Sequence, residues 1–495
     1  MGWQLLPACR RAFSTSTAVA QTLKICIVGT GPAGFYTADR LLKKLGNSVQ
    51  VDLVDRLPSP FGLVRSGVAP DHQDTKNVIN QFTSLGRDPR VSFFGGVTLG
   101  KHVSLQDLRT LYHGVVLAYG AESDRRLGIP GEGAKNVFSA REFVWWYNGH
   151  PDAAGLPVDL RRVESVAVCG IGNVALDCAR VLLQDPKALS VTDVASHALA
   201  ALAAPLARDA HAPKAGPPLR SVCLVARRGP VQAACTPREL KELVGEMPGL
   251  AVHAPDEQMV VSEADAAEMA ASRTKRRVHD IIKQAAKKHP ATPTPSRHLH
   301  FEFYRQPRQV LVGDDGYVSG LVVERTELRA EPGKPAVAVG TGVLETIPCQ
   351  LVLVSIGYRS LPVDGAPFDK QRGTIPNRAG RVLAQGTASP SAADPGLYVC
   401  GWLKRGPTGI IGTNAIDADE TVASICADVS AGALQGGEKA GGQGLRSLLH
   451  IKGVQHADWP GWLKVDAAEV KAGQARGKVR EKVVAIADML KIAAS

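Results

Sequence analysis

The chain has 495 residues, of which 44% are apolar and 21% charged, and this excludes a wholly disordered protein. No uninterrupted apolar run approaches the roughly 18 residues a membrane-spanning helix needs. The net charge of +11 implies an anionic ligand, an acidic partner or an anionic surface. Nucleic acid is not the expected partner, because aromatics are 5% and no zinc-finger, base-stacking or basic-zipper pattern occurs.

Residues 1–20 carry Arg10, Arg11 and a run of four hydroxyl residues from Ser14 to Thr17, and the first acid of the chain is Asp39. An Arg-bearing, Ser-rich, acid-free leader predicts a mitochondrial transit peptide. The nine cysteines include no C-x-x-C spacing, which argues against a zinc site, an iron–sulfur cluster or a redox disulfide in this chain. No metal is expected, and the cysteines read as buried free thiols of a reducing compartment.

Residues 23–28, LKICIV, read as a buried strand followed by GTGPAG and a helical pattern to about Leu45. A second strand over residues 49–54 ends at Asp55. Strand, G-x-G-x-x-G turn, helix, strand and terminal acid form the complete dinucleotide-binding unit. Gly29 permits the tight turn, Gly31 lets the backbone approach a pyrophosphate, and Gly34 lets helix and strand pack closely. An acid at position 55 accepts hydrogen bonds from ribose hydroxyls and repels a 2′-phosphate, so this site suits FAD or NAD.

Residues 165–169 form another apolar strand, and Gly170, Gly172 and Ala175 supply G-x-G-x-x-A at the head of a helix to about Leu183. The next strand, residues 221–226, ends in Arg227 and Arg228. Two guanidiniums at the ribose position suit a 2′-phosphate, so the second site reads as NADPH-binding. A solvated strand end is the alternative for both arginines. The usual spacing of about 20 residues is stretched here. An Ala- and Pro-rich segment, residues 186–218, accounts for the stretch and reads as a surface insertion. Two nucleotide sites of opposite ribose preference imply an FAD-dependent, NADPH-oxidising flavoprotein. Its expected architecture is α/β, with two Rossmann-like domains, the second inserted into the first.

Four further segments carry a resemblance: FGLVRSGVAPDH at residues 61–72, GNVALDCAR at 172–180, RRGPVQAACTPREL at 227–240 and GWLKRGPTGIIGTNAIDADET at 401–421. Together they resemble the adrenodoxin reductase family of mitochondrial NADPH–ferredoxin reductases, from about Leu23 to the C-terminus. The resemblance implies an FAD domain from residues 21–122 and 361–495, with an NADPH domain at 123–360 inserted between. It implies FAD contacts at Ala33, Asp55, Leu63, Leu99, Trp402, Gly409, Ile410 and Ile411. It implies NADPH contacts at Gly170, Ile171, Gly172, Asn173, Arg227, Arg228, Glu239 and Gly409. Ile410 and Ile411 are expected to open a helix whose N–H groups face the flavin. Trp402 offers stacking area and one N–H donor beside an isoalloxazine, though by residue type alone it suits a core equally. His72 and Asp177 resemble a pair near the flavin. They either relay a proton as catalytic residues or serve as structural hydrogen-bonding groups.

Residues 273–288, RTKRRVHDIIKQAAKK, hold seven Lys or Arg and one acid, Asp280. On a helix, Arg273, Arg276, Arg277, Lys283 and Lys287 share one face, and Val278, Ile281, Ile282 and Ala285 share the other. With Lys241, this face is the expected dock for an acidic [2Fe–2S] ferredoxin. A solvated helix and a membrane-surface helix are its other readings. The chain departs from the family at Ile171, where Gln is usual, at Asp55, usually Glu, and at Lys241, often Arg. A monomer in the mitochondrial matrix is expected, with peripheral contact to the inner membrane compatible with the charge.

Overall fold

A computed structural model describes residues 22–204, 219–245, 247–288, 297–331, 334–384, 392–434 and 436–495. The expected leader at 1–20 and Cys9 lie outside these residues.

A seven-stranded sheet has the order Asn377–Arg378, Arg381–Leu383, Ala393–Val399, Gly114–Leu117, Leu23–Val28, Val49–Asp55, Val91–Gly95. The five strands from Ala393–Val399 to Val91–Gly95 run parallel. Their continuous apolar runs follow from burial on both faces, as parallel sheets require. On one face Ile25, Ile27, Val51 and Leu53 pack with Phe35, Leu41, Val422 and Trp459. On the other Cys26, Val28, Val115 and Leu117 pack with Leu445 and Leu449. Each such buried aliphatic side chain contributes roughly 1.5–3 kcal/mol relative to exposure.

A second, six-stranded parallel sheet has the order Val137–Ser139, Leu351–Val354, Ser165–Cys169, Ser221–Val225, Arg297–Glu302, Leu250–His253. Helices cover one face, through Phe143, Trp146, Leu176 and Ile282. A three-stranded antiparallel sheet, Arg305–Val312, Val318–Glu331 and Lys334–Ile347, covers the other through Val310, Leu321 and Val323. The fold is therefore the expected α/β pair of doubly wound sheets. The two chain passages between the sheets pair with each other: Ser123–Asp124 lies antiparallel to Tyr358–Arg359.

Two local expectations are corrected. Residues 186–204 are not a surface insertion. They form the short helices Pro186–Leu189 and Ser196–Ala203 and bury Leu189, Val194, Ala198 and Leu202 in the core of the second sheet. Apolar residues at helical spacing, Val194, Ala198 and Leu202, drive that packing, and residues 205–218 lie outside the described residues. Ile410 and Ile411 do not open a helix, since the next one is Thr413–Ser430. Ile410 instead donates its N–H to Thr413 Oγ1 at 3.1 Å, a turn closed by the first residue of that helix.

Candidate functional site

The two glycine-rich turns are built alike. Gly29 has φ +106°, and its N–H donates to Val54 O at 2.7 Å. Gly170 has φ +127°, and its N–H donates to Val225 O at 2.8 Å. A Cβ on Gly29 would lie 2.4 Å from the Ala118 carbonyl oxygen, one on Gly34 2.0 Å from that of Gly29, and one on Gly170 2.2 Å from that of Ser355. These three glycines are required by protein packing. Gly31 and Gly172 are different, because a Cβ there would meet nothing within 4 Å. Each is the uncapped N-terminal residue of a helix, Pro32–Leu45 and Asn173–Leu183, so free N–H groups and the positive dipole end face open space. That is the cradle a pyrophosphate fits, and Ala33 lies in the first turn of the first helix.

Asp55 ends its strand, with Oδ2 accepting from Thr30 N at 2.8 Å and Thr30 Oγ1 at 2.6 Å, and Oδ1 accepting from Leu57 N at 3.0 Å. It braces the turn in addition to being available to a ribose. The loop carrying Leu63 is tied to the same turn, since Phe61 donates its N–H to Thr30 O at 2.9 Å while holding φ +85°. A non-glycine residue in that region is strained and is held here by rings, with Phe35, Trp462 and Trp459 all within 6.2 Å. Leu99 is half-buried, bridged to Val103.

In the second unit Ile171 accepts from Ala234 N at 2.9 Å, and Asn173 Oδ1 accepts from Thr236 N at 2.8 Å, which fixes the loop over the turn. Arg227 is exposed and Arg228 half-buried at the strand end. Among the described residues, neither guanidinium has an ion-pair partner.

Between the units lies a cluster of charges. Arg180 donates to Asp71 at 2.6 and 3.1 Å and to Asp177 at 2.7 Å, and its Nη2 is 3.4 Å from His72 Nδ1. His72 Nε2 lies 2.7 Å from Glu242, and its Nδ1 3.6 Å from Glu239. His72 and Asp177 thus share a site, but Arg180 bridges them in place of a direct hydrogen bond. Glu239 Oε2 is buried without a hydrogen-bond donor, which an incoming carboxamide N–H would satisfy. Burial raises the Asp177 carboxyl to about 6, with Arg180 opposing the shift. Tyr358 stacks on Trp402, ring centroids 5.3 Å apart. Trp402 is only half-buried, so it is not a sealed core residue. Gly409 and Ile410 are exposed and Ile411 half-buried in the loop beyond it.

Sequence reasoning missed Asp71, Arg180, Glu242 and Tyr358 as site members. The i, i+3 spacing of Asp177 and Arg180 on one helix was the available signal.

The pyridine nucleotide-disulphide oxidoreductase family model matches residues 23–212. The mitochondrial NADPH:adrenodoxin oxidoreductase of Arabidopsis thaliana is 48% identical over 97% of both chains. The human protein of that name is 40% identical over 99% of this chain and 98% of its own. FprA from Mycobacterium tuberculosis, solved in complex with NADPH, is 36% identical with a TM-score of 0.86, over 96% of this chain and 100% of that one. The chain belongs to the NADPH:adrenodoxin oxidoreductase family. It is a flavoprotein oxidoreductase.

Among the described residues, no two cysteines are joined in a disulphide. All eight described cysteines are free, and seven are buried. The basic helix is Arg273–Lys287, with Val278 and Ile282 buried against the core and Arg273, Arg276, Arg277, Lys283 and Lys287 exposed. Arg273 and Arg277 join Lys241, Arg238 and Glu242 around a cleft of about 590 Å³. Glu242 therefore touches both the basic cleft and His72.

Proposed function

We propose that this enzyme uses NADPH and FAD to reduce an acidic [2Fe–2S] ferredoxin in the mitochondrial matrix. FAD, when bound, supplies the conversion of a two-electron donor to one-electron delivery. The uncapped turn at Gly31 and the brace at Asp55 hold the flavin nucleotide, with Ala33, Leu63, Leu99, Trp402 and the loop from Gly409 to Ile411 around it. The turn at Gly170 to Asn173 holds the second pyrophosphate, and Arg227 and Arg228 pair with the 2′-phosphate. Glu239 accepts from the nicotinamide end, and His72 with Asp177 handles the proton that accompanies flavin reduction.

The FAD domain comprises 21–122 and 361–495, with the NADPH domain at 123–360. The pairing of Ser123–Asp124 with Tyr358–Arg359 supports that division. Residues 1–20 act as the import signal, the enzyme is monomeric, and its positive charge allows peripheral contact with the inner membrane. The reduced ferredoxin serves steroid-hydroxylating cytochromes, iron–sulfur cluster assembly or both.

The single observation carrying the acceptor assignment is the cleft that runs from Arg273, Arg277 and Lys241 to Glu242 and so to His72. The test is reduction of a mitochondrial [2Fe–2S] ferredoxin by the purified yellow protein, with NADPH or NADH, at low and high salt. The expected result is NADPH preference and a rate that falls with salt. Arg273→Glu with Arg277→Glu should lower the ferredoxin rate at least tenfold and leave ferricyanide reduction unchanged. Arg227→Ala with Arg228→Ala should raise KM for NADPH about 100-fold, in line with the loss of two charge-assisted contacts, and spare NADH. A ferredoxin rate indifferent to salt and to the reversed charges would remove the basic helix from the reading.

A further inference from the structure

At the outer edge of the second sheet, away from the nucleotide turns, three histidines meet. His298 and His300 sit two residues apart on the strand Arg297–Glu302, so the strand period points both to one face. The edge strand Leu250–His253 lies parallel to it, in a register that sets His253 against His300. His253 Nε2 is 3.0 Å from His298 Nδ1, and one nitrogen from each of the three rings lies within 4.8 Å of the others. His253 is exposed and the other two are half-buried.

We propose that His253, His298 and His300 form a zinc-binding site. Zinc accepts imidazole nitrogen at about 2.0–2.1 Å in tetrahedral geometry. One nitrogen from each ring lies within 4.8 Å of the others, close enough for three ligands to reach a single ion. The solvent side of His253 leaves the fourth position to water.

The three rings stack in near-parallel planes, with His253 and His300 centroids 4.5 Å apart, so they are already gathered before any ion arrives. The chain leaving His253 returns at His298 after carrying the basic helix Arg273–Lys287, so zinc would clip together the two ends of the segment that presents the acceptor face.

The experiment titrates Zn2+ into the full-length, FAD-loaded, EDTA-stripped protein by calorimetry, alongside the His253→Ala and His298→Ala variants. The wild type should bind one equivalent and show a raised Tm with zinc. Each variant should bind at least tenfold more weakly, with unchanged FAD content and unchanged NADPH oxidation as evidence of intact folding. Absence of one-equivalent binding in the wild type would overturn the proposal. So would equal binding by wild type and both variants, which would assign the metal to the other group of close ligand atoms, His72, Asp177 and Glu239.

Discussion

Asp177 is the residue whose chemistry the surroundings alter most usefully. Its carboxyl is pushed up to about 6 by burial, against the pull of Arg180. A carboxyl with a raised folded value stabilises the protein fully below its ordinary value of 3.8 and loses that contribution as pH rises through about 6. Between pH 5 and pH 8 the loss is on the order of 1–2 kcal/mol. Urea unfolding of wild type and Asp177→Asn at both pH values should give that difference between their pH slopes, and parallel slopes would show an ordinary carboxyl. The same titration should appear in the pH profile of NADPH-driven flavin reduction as a step near pH 6. That step should vanish in Asp177→Asn, and a step that persists in the variant would belong to a group other than Asp177.

At the scale of elements, the two glycine-rich turns separate packing from ligand approach. Gly34 and Gly170 cannot take a Cβ without displacing backbone, whereas Gly31 and Gly172 can. Gly172 has φ −117°, ordinary for any residue. Gly31→Ala and Gly172→Ala should therefore fold with Tm within about 2 °C of wild type, as expected for substitutions that meet no protein atom. The first should purify with little FAD, and the second should show KM for NADPH raised at least tenfold. Gly34→Ala should lower Tm as well as flavin content. A Gly172→Ala enzyme with unchanged KM would mean that the nucleotide does not cross that turn.

Elements of this kind were legible in the sequence because each is local. Strand, turn, helix and strand follow within a few dozen residues, with period and glycine spacing in register. The three-stranded antiparallel sheet was equally local and went unread, although Asp315–Gly316 between two β-branched runs is a hairpin signal, and Gly316 has φ +78°. The segment at 186–204 was misread because Ala-rich composition suggested a surface. Its leucines and Val194 find a core only through contacts with distant residues. The site shows the same division. Asp71 and Arg180 are 109 positions apart, and no spacing rule connects them. Residue type together with family resemblance pointed to His72, Asp177 and Glu239. The arginine that joins them emerges only once the chain is folded.

At the scale of the molecule, the two sheets are locked by buried charge as well as by the paired crossing strands. Asp193, within the segment once expected to lie on the surface, accepts from Lys76 at 2.7 Å and lies 2.9 Å from Lys482. These lysines come from the two parts of the chain that build the first sheet, and all three side chains are at most 8% exposed. Glu469 and Arg65 form a second buried pair within the first unit. The two ammonium groups share one carboxylate, Lys482 also reaching Asn148 Oδ1 at 3.4 Å, and burial already lowers Lys482 to about 7. Asp193→Asn would strand both cations, and breaking a buried pair in this way costs about 3–5 kcal/mol. The expected result is a Tm lowered by several degrees at pH 7. The sign of its pH dependence follows from linkage. With the carboxylate gone, the folded lysines bind protons less tightly than the unfolded ones, so the variant's stability should rise as pH climbs from neutrality toward the ordinary lysine value of 10.5. Thermal unfolding of the variant at pH 7 and pH 9 decides it. A variant whose Tm equals that of the wild type and does not change with pH would mean that the lysines reach other acceptors and that the buried carboxylate does not lock the two sheets.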